Sequence, residues 1–178
     1  MKVALLDREG TVIVDPSYDR VDCIEKVRLL PYALEALGHL AAHNFAIIFI
    51  TNQSSIGQGH ITEDGFSQIH AAVLKMIKPS GINVLGTYVC PHGPSDNCAC
   101  RKPQPTMLLE AADDYGFSLA DTYMVGDRLS DISAGINAGA KTILVETGKR
   151  PVSSDEVSFT APNLLDAVRH IVQQTPSN

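Results

Sequence analysis

No apolar run in this sequence approaches the roughly 20 residues that a helix needs to cross a bilayer, so a membrane protein is not expected. A basic excess is also missing. Fourteen Lys and Arg stand against 20 Asp and Glu, a formal net charge of −6, which argues against a general nucleic-acid binder, because phosphate backbones demand a basic face. Cysteine is scarce, four in 178 residues, too few for a disulfide scaffold. Repeats, low-complexity tracts and Pro/Gly/Ser linkers are absent, leaving no seam at which to divide the chain. A secretory leader is not expected either: Asp7, Arg8 and Glu9 cut the apolar stretch after Lys2 to four residues, against about 7–15 in a signal core. The remaining composition, 44% hydrophobic and 19% charged, fits one globular domain over residues 1–178, cytoplasmic and monomeric.

Short apolar runs alternate with longer helical patterns. Val3–Leu6, Phe45–Ile50, Val84–Val89, Thr122–Val125 and Thr142–Val145 are brief, rich in β-branched residues and nearly continuous in hydrophobicity, as strands covered on both faces should be. Leu34, Leu37, Leu40 and Ala41 recur at helical spacing. Thr62 with Asp64 opens a second helix that Pro79 ends; Met107–Tyr115, Leu129–Asn137 and Leu164–Val172 complete the set. The alternation predicts an α/β fold of three layers around a mostly parallel sheet.

In such sheets ligands bind beyond the carboxyl ends of the strands. The residues there are Asp7-Arg8-Glu9-Gly10-Thr11, Thr51-Asn52-Gln53-Ser54, a cysteine-rich segment, and Gly126-Asp127-Arg128. Asp7 and Asp127 are hard oxygen ligands suited to Mg²⁺, which bridges to phosphate oxygens. Thr51, Lys102 and the N–H groups around Gly10 are partners for a phosphate. A carboxylate in that position can act as nucleophile, giving an aspartyl-phosphate, and Glu9, two residues on, is placed to protonate the leaving oxygen and then activate water. Singly, each aspartate would be read as a turn or helix cap; four strand exits supplying the same chemistry argue otherwise.

Cys90, His92, Cys98 and Cys100 form a C-x-H-x5-C-x-C cluster, three thiolates and an imidazole that satisfy a closed tetrahedral zinc site. Arg101 and Lys102 follow the last ligand directly, so pinning this loop fixes two cations over the substrate. Cys23 stands apart and reads as a partly buried small residue. His39, His43, His60, His70 and His170 read as solvated or partly buried, with no assigned role.

Leu5-Leu6-Asp7-Arg8-Glu9-Gly10-Thr11, Thr51-Asn52-Gln53, Arg101-Lys102-Pro103 and Val125-Gly126-Asp127-Arg128, in that order, resemble the four motifs of the haloacid dehalogenase superfamily of phosphohydrolases. With the cysteine loop, the sequence is similar to the branch that holds heptose-bisphosphate phosphatases and histidinol-phosphatases. The resemblance implies an essentially capless Rossmann-like fold, with Asp7 as nucleophile, Glu9 as acid/base, and Thr51 and Lys102 stabilising the transferring phosphoryl group. It further implies Mg²⁺ held by Asp7, the Glu9 carbonyl and Asp127, with Asp131 in support. Substrate contacts would come from Asp15, Pro16, Ser17, Tyr18, Asn52, Gln53, Ser54, Arg101 and Arg128.

The sequence departs from that pattern at four residues. Glu9 replaces the usual aspartate, Gln58 the usual arginine with Ser55 in place of glycine, and Thr106 a glycine. The function so implied is hydrolysis of the 7-phosphate of a heptose 1,7-bisphosphate. Histidinol phosphate or another small phosphomonoester, and a catalytically weakened phosphosugar-binding module, remain as alternatives.

Overall fold

The computed structural model describes residues 1–16, 20–148 and 157–175. Strands β1 (Lys2–Leu6), β2 (Phe45–Asn52), β3 (Asn83–Cys90), β4 (Tyr123–Gly126), β5 (Lys141–Val145) and β6 (Phe159–Ala161) form one six-stranded sheet in the order β3-β2-β1-β4-β5-β6. Every pairing between neighbours is parallel. Helices α1 (Ala33–Ala42), α2 (Ser54–Gly57), α3 (Glu63–Ile77), α4 (Thr106–Tyr115), α5 (Leu129–Ala138) and α6 (Leu164–Gln174) connect and follow the strands.

Both faces of the central strands β1, β2, β4 and β5 are buried, which explains why they read as continuous apolar runs, whereas edge strand β3 is only partly covered. In β1, Ala4 and Leu6 pack with α1, α3 and α6, whereas Val3 and Leu5 point to the other face with Met107, Leu108 and Ala111 of α4 and Ala134 of α5. Strand β2 divides likewise, Ile47 and Phe49 to one side and Ile48 and Ile50 to the other. Each such Val, Leu, Ile, Phe or Met side chain contributes roughly 1.5–3 kcal/mol when fully buried. This three-layer core supports polar groups at the strand ends that would be costly on a weaker scaffold.

Two elements differ from the sequence expectations by addition. Strand β6 is only three residues long, too short for a periodicity signal, and α2 is a single polar turn. Strand β2 also runs two residues past Ile50, because Thr51 and Asn52 pair with Val89 and Cys90 of β3. On α1 the buried stripe is Ala33, Ala36, Leu37 and Leu40, and Leu34 is exposed. Helix α3 begins as expected: the Thr62 hydroxyl accepts the Gly65 N–H at 3.0 Å, and Pro79 lies in the short 3-10 turn that follows the helix. Among the described residues no helix is long and apolar enough to cross a membrane.

The order reverses at β1, which lies between β2 and β4. Crevices open at such switch points, beyond the carboxyl ends of the strands.

Candidate active site

Asp7 leaves β1 and Asp127 leaves β4, adjacent strands in which Leu6 pairs with Val125. The Asp7 N–H donates to the Val125 carbonyl at 2.9 Å, fixing the backbone from which its carboxylate projects. Asp7, Asp127 and Asp131 are all buried, and one oxygen from each lies within 4.8 Å of the others. Lys102 faces this cluster and is only 3% exposed. Its ammonium donates to Asp7 Oδ1 at 2.7 Å, to Asp131 Oδ1 at 2.6 Å and to the Ile50 carbonyl at 2.6 Å, so all three of its protons are used.

Two of the three buried carboxylates, Asp7 and Asp131, share the Lys102 ammonium, and Asp127 has Arg128 Nε at 3.7 Å. Burial pushes the Asp7 carboxyl up to about 8; Lys102 pulls it down, and Asp131, Asp127 and Glu9 push it up further. Burial, with Asp131 beside it, raises Asp127 to about 6. A divalent cation would relieve this crowding, and the chain leaves room for one. Asp127 Oδ1 is buried without a hydrogen-bond partner, an orphan acceptor of the kind an ion satisfies. Gly10 and Gly148 flank the Asp127 carboxylate so closely that a Cβ on either would come within 2.4 Å of Oδ2. The hard-oxygen set fits Mg²⁺.

Glu9 is held from two sides. Its Oε1 accepts Arg8 Nε at 3.0 Å and Arg8 Nη2; its Oε2 accepts Gln53 Nε2 at 2.8 Å and the Thr51 hydroxyl at 3.4 Å. Burial alone would raise this carboxyl, but the Arg8 guanidinium outweighs burial and holds it below the usual range. Arg8 is fully buried, with its guanidinium 4.6 Å from the centre of the Phe66 ring.

The segment after β2 does two jobs. The Asn52 side chain donates to the Lys102 carbonyl at 3.1 Å and accepts the Lys102 N–H at 3.0 Å, a reciprocal pair that sets where the lysine starts. Ser54 Oγ accepts Arg101 Nη1 at 2.8 Å, and the same Nη1 donates to the His92 carbonyl at 2.8 Å. Arg101 thus ties the cysteine loop to α2.

A cleft of about 250 Å³ opens over these groups. Asp7, Glu9, Asn52, Gln53, Ser54 and Lys102 line it, and Asp15, Arg101, Arg128 and Asp131 complete the expected residues found there. Thr51 and Asp127 do not reach its wall, and neither does Pro16. Arg128 donates to Asp15 at 2.8 Å, while its backbone N–H is capped by Asp131 Oδ2 at 3.0 Å. Ser17 and Tyr18 lie outside the described residues. Arg20, Val21 and Ser130 also line the cleft and were not singled out in the sequence, and Ser55, noted there only for replacing a glycine, lines it too. Gln58 is exposed beside Gly93 and does not line it.

Cys90, His92, Cys98 and Cys100 converge. The Cys90–Cys98 and Cys98–Cys100 sulfurs lie 3.5 and 3.6 Å apart, and His92 Nδ1 is 3.3 Å from Cys100 and 3.6 Å from Cys90. A tetrahedral site with Zn–S bonds of about 2.3 Å places sulfurs about 3.8 Å apart. Only Cys90–Cys100, at 2.7 Å, is much closer than a bound ion would leave it. Burial pushes the Cys90 thiol up to about 12. At Cys98 burial also works upward, but the Arg101 N–H and the neighbouring thiols outweigh it and bring the thiol down to about 7.

A model of the HAD-hydrolase-like family matches residues 99–170. A D-glycero-beta-D-manno-heptose-1,7-bisphosphate 7-phosphatase of Helicobacter pylori is 34% identical over 168 residues, covering 94% of this chain and 95% of that protein. The enzyme of the same name from Yersinia pestis is 37% identical over 158 residues, covering 84% of this chain and 82% of its own. The solved structure of a D,D-heptose 1,7-bisphosphate phosphatase from B. bronchiseptica, complexed with magnesium and phosphate, has a TM-score of 0.87 at 30% identity, covering 98% of this chain and 100% of that one. The chain belongs to the D-glycero-β-D-manno-heptose-1,7-bisphosphate 7-phosphatase family of HAD-like hydrolases.

Proposed function

We propose that this chain removes the 7-phosphate of a D-glycero-D-manno-heptose 1,7-bisphosphate through an aspartyl-phosphate on Asp7. The observation that carries the reading is the cluster of Asp7, Lys102, Asp127 and Asp131 at the switch point of the sheet, in a chain whose relatives are heptose-bisphosphate phosphatases.

Asp7 attacks phosphorus as the bond to the sugar oxygen breaks, and Glu9 passes a proton to that oxygen. Glu9 then takes a proton from the water that attacks phosphorus as the aspartyl bond breaks, which restores Asp7 and releases phosphate. Arg8 favours the ionised Glu9 needed for the second step; for the first, the substrate enters as a phosphate monoanion and gives its proton to Glu9, and the proton that Glu9 takes from water in the second step is lost to solvent before the next turnover. Lys102 orients Asp7 and offsets charge on the reacting group. Asp7, Asp127 and the Glu9 carbonyl would hold Mg²⁺, which supplies charge neutralisation to the phosphoryl oxygens when bound. Cys90, His92, Cys98 and Cys100 would hold Zn²⁺ as a structural clamp on the segment carrying Arg101 and Lys102.

The second phosphate has its own partners. Although Gln58 carries no charge, Arg20, Arg101 and Arg128 line the cleft, and guanidinium forks suit phosphate. Such a rim disfavours an amine such as histidinol phosphate. Turnover of the heptose bisphosphate, histidinol phosphate and a simple sugar monophosphate, each with parent and Asp7→Asn protein, tests the proposal. Preference for the bisphosphate, abolished in Asp7→Asn, is expected. Preference for histidinol phosphate, or retained turnover in Asp7→Asn, would overturn it.

A further inference from the structure

Glutamate at position 9 has one more methylene, and one more torsion to immobilise, than the aspartate it replaces. The structure immobilises it by gripping both oxygens from different strands: Arg8 from the end of β1 takes Oε1, and Gln53 from the end of β2 takes Oε2. Arg8 cannot relax its hold, because it is fully buried against Phe66 and a buried guanidinium deprived of its carboxylate is costly. Without Gln53, however, Oε2 would keep only the Thr51 hydroxyl at 3.4 Å, at the far edge of hydrogen bonding, and the carboxylate could swing on Arg8. Gln53 removes that freedom.

We propose that Gln53 is the positioning residue for Glu9, fixing the plane of the longer carboxylate against the pull of Arg8 so that it meets the leaving oxygen. The inference rests on the acid/base role of Glu9 proposed above. Gln53 is itself fixed. It is 6% exposed, and its backbone N–H donates to the Cys90 carbonyl at 2.7 Å, anchoring it to the end of β3. Both amide protons are committed, one to Glu9 Oε2 at 2.8 Å and one to the Thr51 hydroxyl at 2.9 Å. An amide group carries two N–H donors, so none is left for the substrate, although the side chain lines the cleft. Gln53 transfers no proton. The proton moves from Glu9 to the sugar oxygen as the phosphorus–oxygen bond breaks, and the amide holds its donor at the required place.

The test uses full-length, Mg²⁺-loaded protein and follows leaving-group release in the first turnover, with the heptose bisphosphate as alkyl phosphate and 4-nitrophenyl phosphate as aryl phosphate. Gln53→Ala removes the amide; Gln53→Met removes it while keeping the volume, so that packing loss is separated from donor loss. Both should slow alkyl release by roughly 10- to 100-fold, the scale of misplacing a catalytic group by about 1 Å. Aryl release, whose leaving group needs no proton, should change little, and KM should hold. In a Glu9→Gln background, Gln53→Met should cost nothing further, because no proton donor is left to place. Equal loss on both substrates with a raised KM, or a full additional loss in the Glu9→Gln background, would overturn the positioning role alone. Parental alkyl release by Glu9→Gln would instead remove the acid/base reading, and the positioning role with it.

Discussion

Replacing Lys102 with methionine keeps the length of the side chain and removes its charge. In the parent, the ammonium lies 2.7 Å from Asp7 and 2.6 Å from Asp131, nearly without solvent. Methionine leaves two buried carboxylates facing each other with Asp127 close by. Breaking a buried pair by removing one partner costs about 3–5 kcal/mol. At about 2–4 °C per kcal/mol for a chain of this size, Tm should fall by roughly 6–20 °C in metal-free protein at pH 8.

The loss should be smallest below the folded Asp7 value and widen above it. The Asp7 carboxyl is already raised to about 8 by burial, with Lys102 pulling it down; without Lys102 it rises further. A carboxyl raised on folding binds its proton more tightly in the folded state. Its stabilising contribution is present below its unfolded pKa near 4 and lost as pH climbs through its folded value. The two folded proteins differ in bound protons only between the parent's Asp7 value and the variant's higher one, so the deficit should stay level below about pH 7 and widen as pH climbs through about 8. Thermal denaturation of both proteins in chelator from about pH 6 to about pH 9 measures this. An unchanged Tm, or a deficit that does not widen above about pH 8, would refute the counter-ion role of Lys102.

Two further perturbations probe the metal sites. Gly10 has φ of +83° and no space for a Cβ beside Asp127, so Gly10→Ala should cost about 1–2 kcal/mol in backbone strain alone and weaken Mg²⁺ binding, measured by calorimetry; wild-type affinity would mean that Asp127 is not a ligand. Protein purified without added metal should contain about one zinc per chain by elemental analysis, and Cys98→Ser with Cys100→Ser should lose it together with bisphosphate turnover, since Arg101 is held by the His92 carbonyl. An absence of zinc from the parent, with unchanged activity in the double variant, would sink that assignment.

The strands were legible because burial on both faces leaves unbroken apolar runs such as Phe45–Ile50, and the strand ends then indicated where polar residues would gather. What could not be read is how those residues divide their hydrogen bonds. Nothing in the sequence marks Arg8 as fully buried: its partner is adjacent, but the ring beneath it, Phe66, comes from α3. Asn52 and Gln53 read as substrate contacts and line the cleft, but that their side chains bind Lys102 and Glu9, residues remote in sequence, could not be read. Arg20 lacked a motif to announce it. His70 shows the same limit from the other side, since the Thr87 hydroxyl at 2.8 Å and burial that pushes it down to about 4 follow from packing alone.

Phosphorus-31 NMR of D-glycero-D-manno-heptose 1,7-bisphosphate, incubated with Mg²⁺ and catalytic protein, follows both phosphates at once. The 7-phosphate resonance should give way to inorganic phosphate while the 1-phosphate resonance persists, and Asp7→Asn should leave both untouched. Release of the 1-phosphate, or unchanged release of the 7-phosphate by Asp7→Asn, would contradict the account.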